Sequence, residues 1–318
     1  MPIKLNLPSG LLPVVPTETH RSDRDVSEEQ RWSQRFRSLD VQLLIKRDDC
    51  IHPVISGNKA RKLIHFMDRA EQVPPQGVVT MGGNRSNFLH ALGYFCFEQG
   101  IPLKVYIRGH RPKVLHRTLS DLTQWQVDLE FIDKEHFSNL RERAPVLDGK
   151  YRDWIWLPEG GSNLDAVLGI EAAIFELDWE PNYIFVPVGT GATALGLALG
   201  CASRGWSTKV IGIVALKGAH QLDEQLQHWA QRLNRHLPVN LHLDHRFCGR
   251  GFGKIDQKLI DDQRQFETLL GCPLEPVYSV KALRGLHFWL CEELIAKGSR
   301  IIYWHTGGLQ GNSTQLLD

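Results

Sequence analysis

The sequence has no Cys-x-x-Cys pair. Its six cysteines, Cys50, Cys96, Cys201, Cys248, Cys272 and Cys291, stand far apart. That spacing argues against a disulfide framework and fits reduced thiols in a cytoplasmic protein. The chain also has no excess of either charge: 37 basic and 36 acidic residues, interspersed, leave a formal net charge of +1. Charge therefore points to neither nucleic acid nor an anionic membrane as a partner. There is no internal repeat and no low-complexity tract. The opening stretch MPIKLNLPSGLLPVVPTETH lacks the charged, apolar and small-residue order of a signal peptide. One uncharged run, residues 183–203 (YIFVPVGTGATALGLALGCAS), is long enough to span a bilayer. Gly-Thr-Gly splits it into a β-rich half and an Ala/Leu-rich half, so it reads as a buried strand, a tight loop and a buried helix.

At 318 residues the chain holds two domains or one large α/β domain. Strand-like runs recur at 41–47, 77–81, 103–107, 127–132, 183–188, 209–215 and 300–304. Helix-compatible segments fall at 59–72, 85–99, 113–125, 163–177, 192–204, 220–236, 254–269 and 281–297, after an amphipathic helix within 22–40. Alternation of this kind predicts parallel sheets covered by helices. Residues 140–163 mix charge, Pro and Gly and read as a crossing between two lobes. Residues 237–253 read as too polar and Gly-rich for a core element.

In doubly wound sheets, ligands bind where strands end and loops open into helices. Three Gly-rich stretches occupy such positions: MGGNRSNFLHALG (81–93), VPVGTGATALGL (186–197) and YWHTGGLQG (303–311). Backbone amides at helix starts bind phosphate or carboxylate. Gly189-Thr190-Gly191-Ala192-Thr193 is the phosphate candidate. It lacks the Gly-Lys-Ser/Thr ending of a nucleoside-triphosphate loop, and its Ala194 leaves a dinucleotide open. No acid occurs in STKVIGIVALKG (207–218) to hold a ribose, which disfavours an oxidoreductase. Lys59 follows a Gly57-Asn58 turn and falls in the first turn of a helix, a place the helix dipole makes unfavourable for a cation. It reads either as a solvated lysine or as a reactive amine held beside a cleft. His242 and His245 have no third ligand of convincing spacing, so no metal is expected.

A lysine amine, a phosphate cradle and a Ser-Asn helix start are the parts that hold pyridoxal phosphate and an amino acid. In order along the chain, IKRDDC, SGNKARKL, GGNRSN, VGTGAT, EPVYSVKA and HTGGLQG, spanning residues 45–311, resemble the fold-type II pyridoxal-phosphate enzymes. Within them the match is to the 1-aminocyclopropane-1-carboxylate deaminase/D-cysteine desulfhydrase family. The resemblance implies a two-lobed α/β fold with open, mostly parallel sheets, like the tryptophan synthase β chain. Residues 1–52 and 164–318 would form the larger, cofactor-binding domain and 53–163 the smaller one. It implies a cytoplasmic homodimer that converts a small amino acid to a 2-oxo acid and ammonia with pyridoxal 5′-phosphate. Lys59 resembles the cofactor-bearing lysine, Asn87 the partner of the cofactor's 3′-oxygen, and Gly189–Thr193 the phosphate loop. Thr306 resembles the partner of the ring nitrogen, Ser86 part of the substrate-carboxylate site, and Tyr278 a catalytic tyrosine. Arg61 and Lys62 read as solvated helix residues, although Lys62 would lend charge near the phosphate if turned inward. His305 is expected to pack or bond locally.

Three positions depart from the family pattern. Phe88 stands where His or Gln is usual, Phe252 replaces a second active-site tyrosine, and Ser279 replaces the Glu of the cyclopropane deaminases. A neutral group near the ring nitrogen holds its proton less well than a carboxylate, which favours β-elimination over ring opening. The two phenylalanines predict a more apolar substrate pocket. They also motivate the alternative of a cofactor-binding protein with little lyase activity.

Overall fold

The computed structural model describes residues 3–7, 10–14, 28–251 and 253–312. Ten strands are found among them: β1 (Leu11–Val14), β2 (Gln42–Arg47), β3 (Val78–Gly82), β4 (Leu103–Arg108), β5 (Asp128–Ile132), β6 (Ile155–Leu157), β7 (Tyr183–Val188), β8 (Lys209–Val214), β9 (Leu241–Asp244) and β10 (Arg300–His305). The α-helices are α1 (Glu28–Ser38), α2 (Asn58–Gln72), α3 (Asn87–Gln99), α4 (Arg117–Gln124), α5 (Lys134–Glu142), α6 (Leu164–Glu171), α7 (Ala192–Ser203), α8 (Leu222–Arg232), α9 (Gln257–Leu270) and α10 (Ser279–Cys291).

The strands form two sheets. The larger runs β1-β2-β10-β7-β8-β9, and the smaller β5-β4-β3-β6. Every pairing is parallel except β1 with β2. Parallel strands need helical crossovers, which cover both faces and select nearly continuous apolar runs. The larger sheet shows this directly. Ile302 and Trp304 of β10 join the core with α6, α7 and α8, while Ile301 and Tyr303 face the core built with α1, α9 and α10. Successive residues of a strand point to opposite faces, and here both faces are dry. The smaller sheet packs with α2, α3 and α4 around Phe88, Leu92 and Val105.

The uncharged run 183–203 resolves into β7, a Gly loop and α7. Two of its glycines let α7 lie close to α6: a Cβ on Gly196 would come 2.6 Å from the Val167 carbonyl oxygen, and one on Gly200 2.8 Å from that of Glu171. No helix among the described residues is long and apolar enough to cross a membrane.

Four elements depart from the sequence reading. Residues 237–253 contain β9, and 140–163 contain β6, which pairs with β3. Strand β1 lies in the Pro-rich entry, and α5 fills a stretch assigned no element. The three strands are only three or four residues long and lie at sheet edges. A short edge strand buries too little to leave a periodic signature.

Parallel register brings the carboxyl ends of β2, β10 and β7 side by side, with His305 paired to Arg47 and Tyr303 to Phe185. The segments after these three strands therefore open at one edge of the sheet.

Candidate functional site

Lys59 is placed by the turn before it. Gly57 has φ +67°, and a Cβ there would fall 1.9 Å from the Thr306 carbonyl oxygen, so only glycine fits. The Gly57 amide donates to the Asp48 carbonyl (2.9 Å) and the Asn58 amide to the Thr306 carbonyl (3.2 Å). The start of α2 is thus sewn to the segments after β2 and β10. The Asn58 side-chain amide donates to Thr193 Oγ1 (2.8 Å) at the head of α7. Lys59 Nζ donates to Asn58 Oδ1 (2.8 Å). Burial lowers the amine's pKa from 10.5 to about 8, and the Glu275 carboxylate opposes that shift. An amine of that kind is neutral, hence nucleophilic, far more often than an ordinary lysine.

The Gly189–Thr193 loop follows β7 and opens α7, whose amino end offers backbone amides and the positive end of the helix dipole. Gly191 adopts φ +89°, and a Cβ there would strike Leu226 and Leu222 at 2.6 and 2.9 Å. Lys62 completes the cradle. Its Nζ donates to Thr190 Oγ1 (3.2 Å), Ser162 Oγ (2.9 Å) and the Gly160 carbonyl (3.2 Å). Ser162 and Thr190 also bond through their hydroxyls. Burial first, and then the nearby Lys59, push the Lys62 pKa well below the usual lysine value. A buried amine disfavoured in its charged form by burial and by a neighbouring lysine is what a bound dianion would relieve, so these residues fit the phosphate of pyridoxal phosphate.

Opposite this loop, the Glu275 carboxylate is buried and accepts from the backbone amides of Val277 (2.8 Å), Tyr278 (2.8 Å) and Ser279 (2.6 Å). It caps α10 and fixes Tyr278, whose ring is adjacent to Gly189: a Cβ on that glycine would lie 3.1 Å from the ring. Burial raises the pKa of both groups, so the Tyr278 hydroxyl keeps its proton at neutral pH. Ser279 Oγ is buried without an aligned hydrogen-bond partner, although it sits beside Glu275 and favours that group's ionised form. Asn87 Oδ1 accepts from Gln310 Nε2 (2.7 Å), and a Cβ on Gly308 would meet Asn87 Nδ2 at 2.4 Å. Ser86 caps α3 by accepting from the Leu89 amide (3.3 Å) and is partly exposed. Thr306 is buried beside this group, its carbonyl taken by Asn58. His305 bonds locally, with Nε2 on the Pro273 carbonyl and Nδ1 accepting from the Gly307 amide.

Arg61 and Lys62 correct the sequence reading, since neither is solvated. Arg61 is paired with Asp48 through Nε and Nη2 (both 2.7 Å) and with Glu176 through Nη1 (2.7 Å). Lys46 takes the other Glu176 oxygen (2.6 Å), and Trp304 Nε1 donates to Asp48 (2.6 Å). This buried ionic group anchors α2 to β2 and β10 directly behind Lys59. Phe88 is a second correction. Its ring is 0% exposed in the smaller sheet's core, where a Cβ on Gly161 would strike it at 2.4 Å. It fills interior space instead of lining an open pocket. Phe252 lies outside the described residues. Sequence reading also missed Glu275 and the Gly160–Ser162 turn. An acid four residues before a helix start was the available sign of the first, as were paired glycines beside a serine of the second.

Residues 29–307 match the family described as "Pyridoxal-phosphate dependent enzyme". The mitochondrial bifunctional D-cysteine desulfhydrase/1-aminocyclopropane-1-carboxylate deaminase of Arabidopsis thaliana is 26% identical, over 88% of this chain and 76% of its own length. The D-cysteine desulfhydrase of Klebsiella pneumoniae is 25% identical, over 85% of this chain and 88% of its own. A crystal structure described as an ACC deaminase homologue aligns with a TM-score of 0.77 at 23% identity, covering 95% of this chain and 90% of that one. At that identity the likeness shows the fold, which is the one the sequence motifs imply.

Proposed function

The chain belongs to the pyridoxal-phosphate-dependent enzyme family, and we propose that it is a lyase releasing ammonia and a 2-oxo acid from a small amino acid, with D-cysteine as the substrate to test first. The observation that carries this reading is the Lys59 amine, with its pKa near 8, facing a cradle of glycine amides and a second buried lysine. The relatives' names supply the substrate class.

Gly189–Thr193 and Lys62 would hold the phosphate, Asn87 the 3′-oxygen, and a neutral hydroxyl the ring nitrogen. Thr306 is the hydroxyl the motif suggests; Ser279, buried without an aligned partner, is the one this geometry favours. Bound pyridoxal phosphate supplies the electron sink that stabilises charge at the substrate's α-carbon. Lys59 is the covalent anchor. As a free amine it would take the substrate's α-proton, for which its lowered basicity suits it near neutral pH. Tyr278 stays protonated and donates to the departing sulfur. Ser86 and the amides opening α3 orient the substrate carboxylate. With D-cysteine and water the products are pyruvate, ammonia and hydrogen sulfide. Glu275, the buried carboxylate beside Tyr278, is committed to three backbone amides. That supports elimination over cyclopropane opening.

We further take the protein to be a cytoplasmic homodimer with residues 53–163 as its smaller domain. Its cysteines are free, two of them exposed, as a reducing compartment allows. The burial of Phe88 removes one of the two reasons for reading it as a cofactor carrier with little activity. The deciding experiment incubates the cofactor-loaded protein with D-cysteine, L-cysteine and 1-aminocyclopropane-1-carboxylate and measures 2-oxo acid, ammonia and sulfide, with Lys59→Ala as control. Pyruvate and sulfide from D-cysteine, abolished in the control, is the expected result. No turnover of any of the three by fully loaded protein would refute the reading.

A further inference from the structure

Lys281, in the first turn of α10, is a buried lysine that the chemistry above does not use. The residue is 2% exposed. Its Nζ donates to the carbonyls of Ala215 (3.3 Å), Cys248 (2.9 Å) and Gly251 (2.9 Å). An ammonium has three protons, and each finds an acceptor. All three acceptors are neutral backbone carbonyls from two separate loops, one following β8 and one following β9. Burying a charge with no carboxylate in hydrogen-bond contact is costly, and burial lowers this lysine's pKa although the charges of Glu275 and Asp256 oppose that shift. A methionine or leucine would fill the same space without that cost. What the ammonium adds is the gathering of carbonyls that would otherwise repel one another.

Two of the three segments it joins border the site. The Ala215 amide donates to the carbonyl of Val188, the residue before the Gly189 loop (2.9 Å). Tyr278, whose ring lies against Gly189, stands three residues before Lys281 at the start of the same helix. The Gly251 amide closes the third segment by donating to the Cys248 carbonyl (3.2 Å). The Cys248 thiol donates to the adjacent Gly249 carbonyl, within its own loop.

We propose that Lys281 is a positioning residue whose ammonium draws the carbonyls of Ala215, Cys248 and Gly251 together and so holds Tyr278 and loop 248–251 against the end of β8. The kinetic part of this inference rests on the lyase reading; the structural part does not. Lys281→Met keeps the apolar stem and removes the charge, whereas Lys281→Ala leaves room for a small amine. Amide hydrogen exchange is measured on the cofactor-loaded proteins without substrate. Both variants should exchange at least about tenfold faster across 215–218 and 248–251, with the smaller sheet unchanged. Added methylammonium should restore protection in the Ala variant and leave the Met variant as it was. On whichever substrate proves active, kcat should fall about tenfold or more in both variants, with KM within about threefold, and methylammonium should rescue only the Ala variant. Wild-type exchange in both variants would overturn the proposal, as would acceleration spread evenly over the chain, loss of the fold in both, or rescue of neither. Because exchange and rescue are read without turnover, a protein that proves not to be a lyase still answers the question.

Discussion

Stripping the cofactor and returning it over a range of pH tests the central residue directly. Burial brings the Lys59 amine from 10.5 to about 8. At pH 7 its neutral fraction is then about one in ten, where an ordinary lysine has about one in three thousand, a gain of about 300-fold. Covalent capture requires the neutral amine. The rate of visible absorbance gain after mixing with pyridoxal phosphate should therefore climb about tenfold per pH unit and level off near pH 8. The Glu275 carboxylate raises the lysine's pKa, so Glu275→Gln should move the break below 8 while keeping one acceptor for the α10 amides. Stability follows the same linkage. The folded-state pKa lies below the unfolded value of 10.5, so between about 8 and 10.5 the unfolded chain binds more protons. The stripped protein should gain stability as pH rises through that window, by at most about 3 kcal/mol, and carry the full penalty below it. Borohydride should fix the cofactor to the peptide that contains Lys59. A capture rate still rising steeply at about pH 10, or a label on another lysine, would refute the reasoning.

Gly191→Asp should lose cofactor on dialysis, because it sets a carboxylate and a strained φ into the phosphate loop; retention equal to wild type would remove that loop from the site. Ser279→Ala should weaken cofactor binding by about 1–3 kcal/mol and more than Thr306→Val does, as read by equilibrium titration; the reverse order would assign the ring nitrogen to Thr306. Arg61→Met leaves Asp48 buried without its guanidinium partner and should cost about 3–5 kcal/mol in urea unfolding. The exposed Arg69–Asp165 pair serves as the contrast, and Arg69→Met should cost less than about 1 kcal/mol.

Features made by neighbours along the chain were legible beforehand. Gly57-Asn58-Lys59 and Gly189–Thr193 announce themselves through turn chemistry, and β7 and β10 through unbroken apolar runs. Buried charge was not legible. Arg61 meets Glu176 across 115 positions and Lys62 meets Thr190 across 128, so each reads locally as a solvated residue on a helix. Lys281 was hidden for the same reason, because its partners are carbonyls, which carry no mark in a sequence. Phe88 misled in the opposite direction: its place in the motif suggested a pocket wall, but its ring turns toward Gly161 in the core. Which way a side chain turns at a helix start depends on what packs there, and the motif is silent on that.

The position of β10 has a consequence for how the molecule is made. This strand lies inside the larger sheet, between β2 and β7, yet among the described strands it is the last to leave the ribosome. Until then β2 has no parallel neighbour, and the Thr306 carbonyl that receives the Asn58 amide does not exist. The smaller sheet draws its strands from residues 78–157, all translated before β10, so it is free to form during synthesis. Lys59 is translated early but acquires its turn, its burial and its lowered basicity only after β10 and Thr306 have been made. A nascent chain cut short before residue 300 holds Lys59 as an ordinary protonated amine. The cofactor is thus captured by chains that already include β10, and its bound colour reports that this strand is in place.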